Sequence, residues 1–311
     1  MAERLIFLVG PTAIGKTEIS LELAGLAGGE IISCDSMQVY EGMNIGTSKP
    51  PQSALDSITH HLIDIVGPEE EFSVARFRQL AVEAIEDIIV RDKIPLIVGG
   101  SGLYFKVLID GIFEGPVADR KFRRMLEDEA AEFGAGALYE RLCRVDKISA
   151  EKIHPNDARR IIRALEVYEK ADEPISKLKA GAAGLEGKYE IRVFGLNMDR
   201  AALYKKIDER VDLMFDMGFF DEAKALAERN LSLTASQALG YKEVFGFLKG
   251  EYDFEETKRL VKRNTRRYAK RQLTWFRRDK RVEWIMVENG ESPAIIAGRI
   301  MNKCSNNQSL A

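Results

Sequence analysis

The chain has 311 residues, 45% of them apolar, three cysteines and a net charge of −3. That size and apolar content suit one large domain or two modest ones with a real core. Cys34, Cys143 and Cys304 are scattered and odd in number, which excludes a disulfide framework or a zinc site. No apolar run approaches membrane-spanning length and Met1-Ala-Glu-Arg4 is no secretory signal, so a cytoplasmic protein with no membrane partner is expected.

Arg4–Val9 is a short apolar run rich in β-formers. Gly10-Pro11-Thr12-Ala13-Ile14-Gly15-Lys16-Thr17 follows, and then a stretch with helical periodicity from Glu18. This is G-x-x-x-x-G-K-[ST] between a strand and a helix, the context that separates it from a Gly-rich turn without function. Gly10 and Gly15 let the backbone curl so that successive N–H groups face one anion. The helix directs its positive end at the same place, Lys16 adds a point charge, and the Thr17 hydroxyl can hold Mg²⁺. The loop therefore binds a terminal phosphate group, and most such loops serve ATP or GTP.

Glu30–Cys34 reads as a second buried strand, with Cys34 as a packed residue. It runs into Asp35-Ser36-Met37-Gln38 and a Gly-rich loop to Pro50. His60 and His61 head another strand or its approach. As neighbours they point to opposite sides, so they are structural and not a metal pair. Phe72–Arg91 is an amphipathic helix with Ser73 as its N-cap, and Ile94–Val98 is a third strand, ending in Gly99-Gly-Ser101 before a helix near Leu103. Strand–helix alternation implies a parallel sheet, whose ligands sit at the carboxyl ends of the strands. Gly10–Thr17, Asp35–Gln38 and Gly99–Ser101 should then meet at one edge.

From Glu114 to Gly187 charged helical stretches replace strands: Asp119–Phe133, Gly136–Val145, Ser149–Ile153 and Asp157–Lys170. We read an α/β fold, a P-loop NTPase-like parallel sheet flanked by helices, formed by residues 1–113 and 188–311. Residues 114–187 form an all-helical insertion subdomain. Arg159 and Arg163 share one helical face, an arrangement suited to phosphate. Tyr189–Leu196 resumes the sheet. Asp199–Met217, with Lys205, Lys206 and Arg210, and Phe219–Arg229 are helices; a short helix opens at Gln237. Phe254–Arg278 is a long basic helix. Val282–Val287 is an edge strand, and a last helix runs from Pro293 to Asn302. Between Lys258 and Arg281 stand twelve basic residues and one acid, Asp279, with Tyr268, Trp275 and Phe276 interleaved. A solvated helix face is the plain reading of a basic run; the aromatics favour nucleic acid.

These segments resemble the tRNA dimethylallyltransferases, or tRNA isopentenyltransferases. The resemblance rests on Gly10–Thr17, on Asp35-Ser-Met-Gln-Val-Tyr40 with Gly42-Met-Asn-Ile-Gly-Thr47, and on Gly99-Gly-Ser-Gly-Leu-Tyr104. It extends to Arg163-Ala-Leu-Glu-Val167, Gln237-Ala-Leu-Gly-Tyr-Lys-Glu243 and Arg271-Gln-Leu-Thr-Trp-Phe-Arg277, in the family's order and over most of the chain. Ser101 stands where the family usually has Thr, and the hydroxyl is kept. The C-terminal zinc finger of eukaryotic members has no counterpart, which fits the bacterial type.

The resemblance implies transfer of a dimethylallyl group from dimethylallyl diphosphate to the N6 amine of adenosine 37 of tRNA, in the anticodon stem-loop. The phosphate loop would hold the diphosphate leaving group with Mg²⁺ at Thr17, helped by Arg163 and by Lys206 or Arg210. Asp35 would take the amine's proton, Ser101 would orient Asp35 or the amine, and Lys16 would stabilise the departing charge. A Mg²⁺-binding role for Asp35 is the alternative. The target base must leave its stack to react. The residues expected at the tRNA are Asp35, Ser36, Met37, Gln38, Ser101, Arg123 (or Arg124), Arg159, Arg160, Ile161, Ile162 and Arg163, with Arg266, Arg267, Lys270 and Arg271 of the basic helix. A monomer is expected. A nucleotide or small-molecule kinase would explain the loop and a helical lid equally well, but not the basic aromatic helix.

Overall fold

The structure is a computed structural model and describes residues 3–306 apart from Glu114, Val117 and Ala182. The chain divides into two compact units, residues 1–108 with 186–311, and residues 109–185. Glu114, where the sequence reading places the start of the insertion, lies outside the described residues.

The first unit is built on six parallel strands: β1 (Arg4–Val9), β2 (Gly29–Ser33), β3 (His60–His61), β4 (Ile94–Gly99), β5 (Glu190–Asn197) and β6 (Val282–Met286), in the order β3-β2-β4-β1-β5-β6. The expected edge position of the last strand is the observed one. β1 is buried at every residue after Arg4, the pattern of a central parallel strand covered on both faces. Ile6 and Leu8 point to one face, where α1 (Lys16–Ala27) brings Ile19 and Leu23 into a single apolar cluster.

On the opposite face Phe7 meets Phe105 edge to face at 5.6 Å. Between β2 and β3 a short helix, α2 (Gln52–Ser57), follows the Gly-rich loop that ends at Pro50; the sequence reading assigns no element there. α3 (Val74–Val90) begins as expected at Ser73, whose hydroxyl accepts the Arg76 N–H at 3.1 Å. α4 (Gly102–Asp110) follows β4 and carries Phe105.

His60 and His61 are structural. His61 Nε2 lies 2.8 Å from the carboxylate of Glu30 and His60 Nδ1 lies 2.7 Å from Ile58 O. Glu30, only 2% exposed, also binds Arg91 and Lys93, and these bonds, that from Arg91 foremost, hold its carboxyl well below the usual range. Cys34 is buried, which pushes its thiol up; Asp35 adds to this.

The second unit consists of α5 (Arg120–Phe133), α6 (Ala135–Val145), α7 (Lys147–Ala150), α8 (Ala158–Ala171) and α9 (Ile175–Ala180). Its core is apolar and its own: Leu126, Leu138, Leu142, Ile161, Leu165 and Val167 are each at most 3% exposed. Asp157 caps α8 by accepting the Arg160 N–H. α7 starts two residues before the expected Ser149 because Asp146 caps it, accepting from Ser149 N at 3.0 Å. Helix α9 has no counterpart in the sequence reading; six residues behind a proline give too short a periodic signal.

The first unit closes with α10 (Arg200–Asp216), α11 (Phe219–Ala227), α12 (Leu233–Ser236), α13 (Tyr241–Leu248), α14 (Phe254–Phe276) and α15 (Pro293–Asn306). α15 packs beside α1 through Ile296, Ala297 and Ile300. α14 lies on the other face, where Phe276 meets Phe105 at 5.5 Å. No helix among the described residues is long and apolar enough to cross a membrane.

Candidate active site

The three polar segments do converge, because β2, β4 and β1 are adjacent and parallel and their carboxyl ends lie side by side. The backbones touch there: Cys34 N–H donates to Val98 O at 2.7 Å and Ser101 N–H to Cys34 O at 3.3 Å. A Cβ on Gly99 would lie 2.1 Å from Cys34 O, so only glycine permits this approach.

The phosphate loop leaves β1 and turns through two left-handed residues, Ala13 (φ 66°) and Gly15 (φ 99°), which ends as the N-cap of α1. Alternation of this kind gathers N–H groups into an anion-binding nest. Holding an alanine there costs about 1 kcal/mol, strain that marks a functional turn. Ile14 is 1% exposed and belongs to the core, so the loop can offer a phosphate only its backbone at that position. Lys16 Nζ donates to Gly10 O at 3.0 Å and Pro11 O at 2.9 Å. Burial lowers the Lys16 ammonium to about 8, partly offset by the nearby Asp35 carboxylate.

The loop borders a cleft of about 1080 Å³ within the first unit, lined also by Asp35, Gln38, Lys206, Arg210 and Tyr268. Arg210 donates from Nη1 to Thr12 Oγ1 at 2.8 Å, which sets its guanidinium on the loop, and burial presses its pKa down. Lys206 lines the cleft one helical turn away. Asp35 Oδ1 accepts the Met37 N–H at 2.9 Å, and Oδ2 has no hydrogen-bond partner among the described residues. Ser101 Oγ accepts the Ser36 N–H at 3.2 Å, so it orients the turn that carries Asp35 and does not bond the carboxylate. The Thr17 hydroxyl also lines the cleft and makes no hydrogen bond among the described residues. No group of three His, Cys, Asp or Glu side chains stands ready for a metal among those residues. A single hydroxyl suits Mg²⁺, which keeps its waters and takes substrate phosphate oxygens, better than a metal that needs a full protein cage.

Several residues expected at a nucleic acid make contacts within the protein. Gln38 accepts from Ser33 Oγ at 2.8 Å and donates to Thr47 O and Ser48 O at 3.3 and 3.2 Å, so its amide braces the following loop. Ile161 and Ile162, 0% and 4% exposed, fill the core of the second unit; their side chains cannot touch RNA. In that unit Arg123 binds the buried Glu166 with both Nε and Nη2, at 2.9 and 2.8 Å. Arg163 bonds the same carboxylate and Pro116 O. Arg124, Arg159 and Arg160 are exposed.

The basic helix is sorted in the same way. Lys258 and Lys262 pair with Asp212, and Arg266 with Asp208, so α10 neutralises one side of α14. Phe276 is buried. Arg267, Lys270, Arg271 and Trp275 form the exposed face. The Tyr268 hydroxyl lies beside Ser101 and Gln272, and the Arg271 guanidinium stands 5.7 Å from the Tyr268 ring.

A sequence profile of the family described as IPP transferase matches residues 38–279. The chain belongs to this family. A tRNA dimethylallyltransferase of Desulforudis audaxviator is 47% identical over 300 residues, 96% of each chain. Another, from Carboxydothermus hydrogenoformans, is 48% identical over 286 residues, 91% of this chain and 92% of the relative. Among solved structures, the full-length tRNA isopentenylpyrophosphate transferase of Bacillus halodurans is 42% identical with a TM-score of 0.71, covering 99% of both chains. A eukaryotic dimethylallyltransferase acting on tRNA is 30% identical with a TM-score of 0.81, covering 98% of this chain and 80% of its own.

Proposed function

We propose that this protein transfers the dimethylallyl group of dimethylallyl diphosphate to the N6 amine of adenosine 37 in tRNA, releasing diphosphate. The observation that carries the reading is the convergence of the phosphate loop and Asp35 on one cleft that α14 lines through Tyr268 and Gln272, with Ser101 bonded to the turn that carries Asp35. In the reaction a bond forms between N6 and the allylic carbon while the bond from that carbon to oxygen breaks. The electron pair leaves on the diphosphate and the amine's proton passes to Asp35. An aspartate is a weak base toward a neutral amine, but the nitrogen turns acidic as the new bond forms. Oδ2 is the oxygen left to receive the proton.

The loop N–H groups, Lys16 and Arg210 face the leaving charge. Mg²⁺ held at Thr17 would neutralise part of it. Arg210 supports this role more directly than Lys206, since it is already bonded to Thr12. Arg159, Arg160 and Arg163 of the second unit, and Arg267, Lys270 and Arg271 of α14, would take RNA phosphates. A kinase would leave the face of α14 without a task, and membership of the IPP transferase family removes that alternative. Incubation with unmodified tRNA and either dimethylallyl diphosphate labelled in its allyl group or γ-labelled ATP tests the reading. Label should enter RNA from the first donor alone; transfer from ATP would overturn it.

A second measurement tests the RNA-facing surface. The logarithm of tRNA affinity should fall linearly with the logarithm of salt concentration, at about 0.7–0.9 per phosphate contact. Reversing Arg267, Lys270 and Arg271 to Glu should flatten the slope by roughly 2–3. The same change at Lys258 and Lys262, already paired with Asp212, should alter it little. Equal slopes in wild type and the first variant would return α14 to a solvated helix face.

A further inference from the structure

Helix α14 buries Thr257, Val261, Thr265, Ala269, Gln272 and Phe276, a stripe at helical spacing in which Gln272 is the one amide. Gln272 is 5% exposed. Its Oε1 accepts the Thr12 N–H at 2.8 Å, and its Nε2 donates to Gly100 O at 3.0 Å. One side chain thus fastens the phosphate loop behind β1 to the turn behind β4, and both to the helix whose outer face carries Arg267, Lys270 and Arg271. The fit leaves no slack: a Cβ on Gly100 would lie 2.1 Å from Nε2. The task needs an acceptor and a donor on one planar end. A carboxylate supplies only the acceptor, and a thioether supplies no donor and only a weak acceptor.

Thr12 is gripped from a second side by Arg210 through its hydroxyl. Between them the two bonds set the direction of the loop just before its left-handed Ala13. Without Gln272 the Thr12 N–H loses its partner beside a strained turn. The loop can then rotate to satisfy that group, and the N–H array no longer points at one place.

We propose that Gln272 is a positioning residue for the diphosphate: it acts through the Thr12 backbone to hold the phosphate loop in its anion-binding form. The inference rests on the reading above that this loop takes the diphosphate. The test measures binding of inorganic diphosphate by calorimetry, and of anticodon stem-loop RNA by filter retention, for wild type, Gln272→Met and Gln272→Glu. Wild type serves as control for the reading itself: if it binds no diphosphate, the loop assignment fails, whatever Gln272 does.

Gln272→Met should weaken diphosphate binding by roughly 10-fold or more, the scale of a buried N–H left unpaired. Gln272→Glu should weaken it further, because it keeps the Thr12 bond but opposes Gly100 O and adds negative charge next to the anion. RNA affinity should stay within about twofold in both, and KM for dimethylallyl diphosphate should rise with the diphosphate dissociation constant. Unchanged diphosphate affinity in Gln272→Met would overturn the proposal. So would equal losses of diphosphate and RNA binding, or loss of the folded state in both variants, since each would make Gln272 a support of α14 and not of the loop.

Discussion

Asp35→Asn is expected to lower the single-turnover rate by about 10²–10⁴-fold, the usual contribution of a positioned general base. The substitution is conservative in shape, because an asparagine Oδ1 can still accept the Met37 N–H that holds the turn. What it removes is the oxygen that receives the proton, together with one negative charge. The charge gives a second readout. Asp35 lies close enough to Lys16 and Arg210 to favour their charged forms. Neutralising it leaves the cleft more positive, so diphosphate affinity should hold or rise while the rate collapses. If Asp35 instead carried Mg²⁺, diphosphate binding would weaken and added Mg²⁺ would restore part of the rate. Binding isotherms and rates at two Mg²⁺ concentrations separate the two roles, and rescue by metal would end the general-base assignment without touching the transferase one.

Lys16→Ala should cost about 10²–10³-fold in the chemical step, comparable to the loss of one preorganised donor aimed at developing charge. Thr17→Ala should reduce the rate in the same direction. Among the described residues Lys16 is bonded only to the loop's own carbonyls, Gly10 O and Pro11 O, and neither Lys16 nor Thr17 is part of the exposed face of α14. tRNA affinity in both variants should therefore remain near wild type. A parallel loss of tRNA binding would show that the loop is not a dedicated diphosphate site.

The alternation of apolar strands with amphipathic helices was enough to read the parallel sheet, since a parallel strand buried on both faces leaves an unbroken apolar run. Leu5–Val9 and Ile94–Val98 are such runs, Glu30–Cys34 has its apolar pair Ile31-Ile32 between polar neighbours, and the polar segment after each had to reach the same edge. The phosphate loop was legible for a related reason: its function lies in backbone geometry that only certain residues permit, and Gly10, Gly15 and Lys16 announce it. The family, too, was legible in the motifs.

Side-chain partnership was not legible, because charge and hydrogen-bonding capacity are properties of a residue while their use depends on what a distant element places opposite. Twelve basic residues near α14 read as one surface; the fold hands Lys258, Lys262 and Arg266 to carboxylates of α10 and leaves Arg267, Lys270 and Arg271 outside. Gln38 is expected at the tRNA, and the fold also uses its amide to brace the following loop. Arg123 is expected at the tRNA, and its guanidinium is held by Glu166, 43 residues further along the chain. Gln272 stood inside a recognised motif with no role, although its place on the buried stripe of a charged helix was visible at helical spacing. That it meets Thr12, 260 residues away, follows only from α14 crossing the sheet face beside the ends of β1 and β4, a juxtaposition that local periodicity does not encode.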